Sequence, residues 1–286
     1  MLDHRDQDRL ASNRRHLERF LARFGWLIRL RPQVLANPLI KLVSPHDHRR
    51  LIDCDGLRLY IDPMSDLGRS IIRHRSYEPD VVKIFKENVR PGDVVFDIGA
   101  NEGYFAALAA SLVGREGLVV AVEPQSRLYD ILSINLTLNA VGRTSVYAAA
   151  VDAESGNSLN LSLTPLSNTG ASSIVRQYRW SRATELVQTV SMEDIFKREE
   201  LSSIDFIKID VEGFEYEVIN SLESLLKRKC VRKMLVDYHA SILRERAIPI
   251  SDIHERILAR GFRQIDGAGP NLAETHGGYV LYELAT

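Results

Sequence analysis

The chain has 286 residues, enough for one α/β domain with an extension and a sizeable buried core. Apolar residues make up 45% and charged residues 26%, and the formal net charge of −1 leaves no overall basic field to draw in nucleic acid. No apolar run approaches the ~20 residues of a membrane span, and Arg and Asp interrupt the N-terminus where a signal peptide would need an apolar core. The two cysteines, Cys54 and Cys230, lie far apart and in no metal-ligand spacing, so the expected location is a reducing one, the cytoplasm.

Residues 1–50 form a distinct extension ahead of a domain expected over 51–286. Arg5, Arg9, Arg14, Arg15, Arg19, Arg23, Arg29 and Arg31 far outnumber the acids there. Leu17, Phe20, Leu21, Phe24 and Ile28 recur at helical spacing, which predicts a basic amphipathic helix ended by Pro32 and Pro38. Its expected role is packing on the main domain or on a second subunit. Docking on an anionic membrane surface is a less favoured reading. Residues 51–63 alternate apolar and polar around Asp55-Gly56, a hairpin signal. Val81 to Val89 reads as a helix stopped by Pro91-Gly92.

From Asp93 onward strands and helices alternate. Strands are expected near 94–98, 118–123, 145–150, 204–210, 232–237 and 279–284, and helices near 103–112, 126–138, 214–227 and 251–260. That order predicts a mostly parallel sheet with helices on both faces. A polar stretch at 152–186 reads as a β-hairpin excursion or a functional loop.

The first βα unit is the most informative. Val94-Val95-Phe96 ends in Asp97, and Gly99, Ala100, Asn101 and Gly103 lead into a helical run. Small residues there let a ligand touch bare backbone at the carboxyl edge of a parallel sheet. An acid at that edge suits a ligand with a positive end, such as the ammonium and sulfonium of S-adenosylmethionine. Glu123 closes the next strand, where a carboxylate can accept from both hydroxyls of a ribose. A nicotinamide-dependent oxidoreductase shares that device, but G-x-G-x-x-G does not follow the first strand. A protein that binds the cofactor without catalysis needs the acids at the strand ends to be idle.

Chemistry gathers on two later strands. Asp210 and Glu212 follow the strand from Ile204, and Asp237 and His239 end the strand from Met234. Adjacent parallel strands would bring them to one edge. A lone acid there is more often a helix cap or a solvated charge, and a lone histidine a satisfied structural one. As a group they read as catalytic: His239 as general base with a pKa near its ordinary value, and Asp210 or Glu212 orienting it or taking the proton. A divalent metal on Asp210 and Asp237 is a less favoured mechanism. A nucleic-acid base methyltransferase usually carries Asn/Asp-Pro-Pro-aromatic where this chain has Asp210-Val211-Glu212-Gly213, and these acids would repel phosphate, so no nucleic-acid partner is expected.

These motifs resemble the FkbM-type family of S-adenosylmethionine-dependent methyltransferases over roughly residues 52–285. The marks are Tyr77-Glu78-Pro79, Pro91-Gly92-Asp93, the run Asp97 to Tyr104, Glu123-Pro124, Asn168 to Ser173, and Lys208-Ile209-Asp210-Val211-Glu212-Gly213-Phe214-Glu215. The family more often has Glu where this chain has Asp237. The resemblance implies a Rossmann-like class I methyltransferase fold and O-methylation of a hydroxyl on a small molecule, sugar or natural product. The cofactor-binding set expected with it is Glu78, Asp97, Gly99, Ala100, Asn101, Gly103, Glu123, Pro124, Val151 and Asp210.

Overall fold

The computed structural model describes residues 49–164, 170–176, 183–267 and 278–285. The predicted basic helix of the extension lies outside the described residues. Two compact units emerge, one of residues 49–77 with Thr164 and Gly170, the other of residues 78–163 and 171–285.

In the first unit β1 (Arg50–Cys54) and β2 (Leu57–Ile61) pair antiparallel, as the alternation predicts. Asp55 and Gly56 both take positive φ, 53° and 82°, the geometry whose twist suits a two-residue hairpin. Leu57, Leu59 and Ile61 fall on one face and are buried. Helix α1 (Asp66–His74) follows, for which the pattern gave no sign. Ser65 caps it, its Oγ accepting from Gly68 N–H at 3.0 Å.

The second unit opens with α2 (Pro79–Asn88), with Pro79 in the first turn, where a missing N–H costs nothing. Then come β3 (Val94–Ile98), α3 (Tyr104–Val113), β4 (Leu118–Val122), α4 (Ser126–Asn139) and β5 (Arg143–Tyr147). A short β6 (Ala150–Val151) leads to β7 (Ser158–Ser162), β8 (Thr184–Val190) and α5 (Met192–Arg198). The remaining elements are β9 (Ile204–Ile209), α6 (Glu215–Lys227), β10 (Val231–Tyr238), α7 (Ala240–Glu245), α8 (Ile250–Leu258), β11 (Phe262–Gly267) and β12 (Gly278–Leu284).

The main sheet runs β11-β12-β10-β9-β3-β4-β5. From β10 to β5 every pairing is parallel, and β12 lies antiparallel between β10 and β11. Parallel strands are covered on both faces, so β4 is buried along its whole length and reads as a continuous apolar run. The chain starts at the centre with β3, walks out to β5 and returns on the other side at β9. Strand order therefore reverses between β3 and β9, the switch point where such sheets open a crevice at their carboxyl ends. The expected fold, a Rossmann-like mostly parallel sheet, is the observed one.

One predicted strand was wrong in its course. The run expected at 145–150 splits: β5 stops at Tyr147, and Ala150-Val151 pairs instead with Thr189-Val190 in a separate three-stranded sheet, β6-β8-β7. Edge strand β5 has a neighbour on one side only, and the alanines after Tyr147 add little packing to hold it there. The polar stretch that follows is a β excursion, with β7 and β8 antiparallel.

Candidate active site

The turn between β3 and α3 is shaped by three residues in the left-handed region: Gly99 at φ 84°, Asn101 at 51° and Gly103 at 86°. A Cβ on Gly99 would sit 1.8 Å from the Asp210 carbonyl oxygen, so the turn packs directly against the end of β9. Gly99 and Ala100 N–H both donate to Val122 O, at 2.9 and 3.1 Å. Asn101 N–H donates to Glu123 Oε2 at 2.9 Å, and Gln125 N–H to Glu123 Oε1 at 2.9 Å. Glu123 is thus gripped by backbone on both sides, and the Gln125 side chain bonds to it as well. Burial pushes its carboxyl up to about 7 against these N–H bonds. Pro124 follows, half-buried. Val151 is buried in the main core, where it offers packing alone.

Asp97 is 1% exposed, and neither carboxylate oxygen has a hydrogen bond. The nearest cation is Lys208, with Nζ 3.8 Å from Oδ1. Burial raises the Asp97 pKa, and the Lys208 charge opposes that. Lys208 donates to Asp210 Oδ2 at 2.9 Å. Burial works against the Asp210 carboxylate too, but Lys208 and His239 outweigh it and hold its pKa low. Glu78 sits ahead of α2 at φ 45°, a conformation rare before proline, and its charge bears on Lys208 and Asp237.

His239 lies one residue beyond β10. Its Nδ1 is 2.7 Å from Glu215 Oε1, and its Nε2 is 3.5 Å from Glu212 Oε2 and 3.8 Å from Asp210 Oδ1. Asp237 joins them: one oxygen of Asp210, one of Asp237 and a ring nitrogen of His239 lie within 4.8 Å of one another. The expected convergence of Asp210, Glu212, Asp237 and His239 is therefore present in the geometry. The charge state expected of His239 is not. Burial disfavours the imidazolium, but bonds to Glu212 and Glu215 and the charges of Glu215 and Asp210 overcome it, pushing the pKa up to about 12. These neighbours favour the imidazolium, which has no lone pair for a proton. Within this cluster it is the Asp237 carboxyl that is pushed toward neutrality, up to about 7, by burial and by the charge of Asp210.

Glu215 and Lys208 had been given no role. Glu215 is fully buried, and its Oε1 also accepts from Gly213 N–H at 3.0 Å. For Lys208 the signal was there: a lysine set between two isoleucines in a strand that is otherwise core. Of the motif Asn168 to Ser173, Asn168 and Thr169 lie outside the described residues. Ser173 Oγ donates to the Glu212 carbonyl at 2.8 Å and braces the bend at Glu212, where φ is 49°.

The methyltransferase FkbM domain matches residues 97–263, more than half of the chain. This chain belongs to the FkbM methyltransferase family. It is accordingly an S-adenosylmethionine-dependent methyltransferase, and the nicotinamide reading falls away. Among curated relatives, the FkbM chain is 23% identical over 222 residues to the hexuronic acid methyltransferase AglP of Haloferax volcanii, covering 78% of this chain and 83% of that one. It is 33% identical over 129 residues to a protein-L-isoaspartate O-methyltransferase of Methanopyrus kandleri, covering 43% of this chain and 53% of that one. Among solved structures, it overlaps fibrillarin from Methanococcus jannaschii with a TM-score of 0.44 at 14% identity, covering 82% of each chain. Aeropyrum pernix fibrillarin, with S-adenosyl-L-methionine natively bound, gives 0.42 at 13% identity, again covering 82% of each. Overlaps of this size decide nothing about acceptor or partner. Among the described residues no helix is long and apolar enough to cross a membrane.

The FkbM cofactor fits the residues present. Asp97 offers two buried oxygens without hydrogen bonds to a cationic ligand, and Glu123 sets a second carboxylate at the end of the adjacent strand.

Proposed function

We propose that this methyltransferase transfers the methyl group to a hydroxyl of a sugar or a similar polyhydroxylated small molecule. One observation carries the reading: Asp210, Glu212 and Asp237 gather around His239 at the carboxyl ends of β9 and β10. Carboxylates accept hydrogen bonds from hydroxyls and repel phosphates and other carboxylates. The hexuronic acid in the name of AglP supports a sugar acceptor, a molecule with hydroxyls beside its carboxylate, and does not choose between the two groups.

In this reading Asp97 takes the ammonium of the methionine end, Glu123 the ribose hydroxyls, and the backbone of Gly99, Ala100, Asn101 and Gly103 lines the site with Pro124. Glu78 contributes charge at the Asp210 side, and Val151 supports the wall from the core. Bound S-adenosylmethionine supplies an electrophilic methyl on a sulfonium. That methyl would pass to the acceptor oxygen, and the Asp237 carboxylate would take the hydroxyl proton and release it to water. His239 keeps Asp210 and Glu212 compensated, and Asp210 and Glu212 orient the acceptor. Holding the two reactants in line supplies much of the rate, up to ~7–11 kcal/mol in ideal cases.

The test is transfer from methyl-labelled cofactor to a panel of sugars, uronic acids and glycans, followed by mild alkali. A methyl ether survives alkali, whereas a methyl ester releases labelled methanol. Label that is wholly alkali-labile would place the methyl on a carboxylate and overturn the hydroxyl reading.

A divalent metal is a second reading, favoured by the 4.8 Å grouping of Asp210, Asp237 and His239. The Lys208 ammonium, already bonded to Asp210 at 2.9 Å, opposes a further cation there. Turnover unchanged by chelator is the expected result, and turnover restored only by added metal would reverse the preference.

A further inference from the structure

Lysine is almost never fully buried unless it is paired. Lys208 is 4% exposed, between Ile207 and Ile209, with its ammonium 5.0 Å from the centre of the Phe105 ring. In the parallel register of β3 and β9 it lies directly opposite Asp97. One cation thus serves the strand that carries the cofactor turn and the strand that carries the acceptor cluster. The service is unequal. Asp210 receives a hydrogen bond at 2.9 Å, while Asp97 receives charge at 3.8 Å and no hydrogen bond. The groups that bear on Asp97 are Lys208, Asp210, Glu123 and the backbone N–H of Ala106. Of the side chains among them, Lys208 is the one that favours a charged Asp97.

We propose that Lys208 is a positioning residue for the cofactor: tethered by Asp210, it keeps Asp97 ionised while leaving both Asp97 oxygens open to a ligand cation. A lysine that bonded Asp97 directly would fill that place itself. A neutral side chain at 208 would leave Asp97 buried beside Asp210 with no opposing charge, and with the backbone N–H of Ala106 alone against its protonation. The inference rests on the reading of Asp97 as the contact for the methionine end.

Calorimetry with S-adenosylhomocysteine on the full chain tests it without turnover, between pH 5.5 and 8. Asp97→Asn is expected to weaken binding ~10–100-fold, the effect of losing a charged acceptor. Lys208→Met should weaken binding by a similar factor at the acid end and recover as pH rises, because Asp97 then ionises later. The pH at which affinity falls off therefore moves up. The double variant should bind no more weakly than Asp97→Asn alone, since Lys208 acts through Asp97. If Lys208→Met does not fold, Lys208→Gln removes the charge but keeps a donor for Asp210, and the same readings apply. An unshifted pH profile in the folded lysine variant, or a double variant whose loss is the product of the two singles, overturns the inference and leaves the cofactor reading standing. Wild-type affinity in Asp97→Asn removes Asp97 from the site, and both fall.

Discussion

At the scale of single residues, burial and neighbours sort chemically similar groups into different roles. Asp210 and Asp237 are both aspartates at strand ends, yet Lys208 and His239 hold one low while burial beside Asp210 pushes the other up to about 7. A base titrating near the working pH is the efficient one. Asp237→Asn is therefore expected to cut turnover by ~10²–10⁴ and to abolish the rise of activity through pH 7. His239 lowers the Asp237 pKa, so His239→Gln should move that rise to higher pH without removing it. Steady-state pH profiles of the two variants check this. A limb that survives in Asp237→Asn and vanishes in His239→Gln would return the base to His239. If Glu123 holds the ribose as proposed, Glu123→Ala should weaken S-adenosylhomocysteine binding ~10–100-fold, read by calorimetry. The position of His239 could be read from its spacing to Asp237. The pull on its charge could not, because Glu212 and Glu215, which favour the imidazolium, stand far back in the chain, Glu215 being 24 residues away at the start of α6.

At the scale of elements, the βα turns are more demanding than the helices they connect. The β3–α3 turn needs positive φ at Gly99 and meets the Asp210 carbonyl there. Gly99→Ala brings both strain and a backbone clash, and should destabilise the protein by about 2–4 kcal/mol, read as a lower urea midpoint. An unchanged midpoint would show that β9 can move away from the turn. The apolar strand runs and the long helices were legible: β3, β4, β9, α4 and α6 lie within a residue or two of their predicted bounds. Other elements were not. Helix α7 has six residues, too few for a period to show. Strand β11 is largely polar and solvent-facing, so the alternation that betrays a half-buried strand is missing.

At the scale of the whole molecule, the shifted groups combine into one pH dependence. Glu123 and Asp237 have folded pKa values raised to about 7, and His239 to about 12. A raised folded pKa gives stability that is complete below the unfolded value and fades as pH rises through the folded one. For the two acids the loss runs from about pH 4 to 7, and for His239 from about 6.5 toward 12. Each contribution falls as pH rises, that of the two acids up to about pH 7 and that of His239 above about 6.5. The melting temperature of the cofactor-free protein should therefore fall between pH 5.5 and 8.5, and S-adenosylhomocysteine should raise it at each pH. A melting temperature that climbs toward pH 8.5 would mean these groups are not held as the structure places them. Deleting residues 1–48 removes none of the described elements, so the shortened chain should still unfold cooperatively and bind S-adenosylhomocysteine. Gel filtration of the two forms would show whether the extension joins subunits.

The sequence by itself determined the alternation of strand and helix, the glycine turn after β3, and the acids at strand ends, because these depend on near neighbours and on the period of burial. From them the sheet, the cofactor class and the family could be read. Only the tertiary structure decided which charges meet. Lys208 reaches Asp97 because two strands more than a hundred residues apart pair in one register. A charged His239 is favoured because the fold brings Glu212, and Glu215 at the start of helix α6, against its ring. Ionisation is set by distance and burial in three dimensions, and neither follows from spacing along the chain.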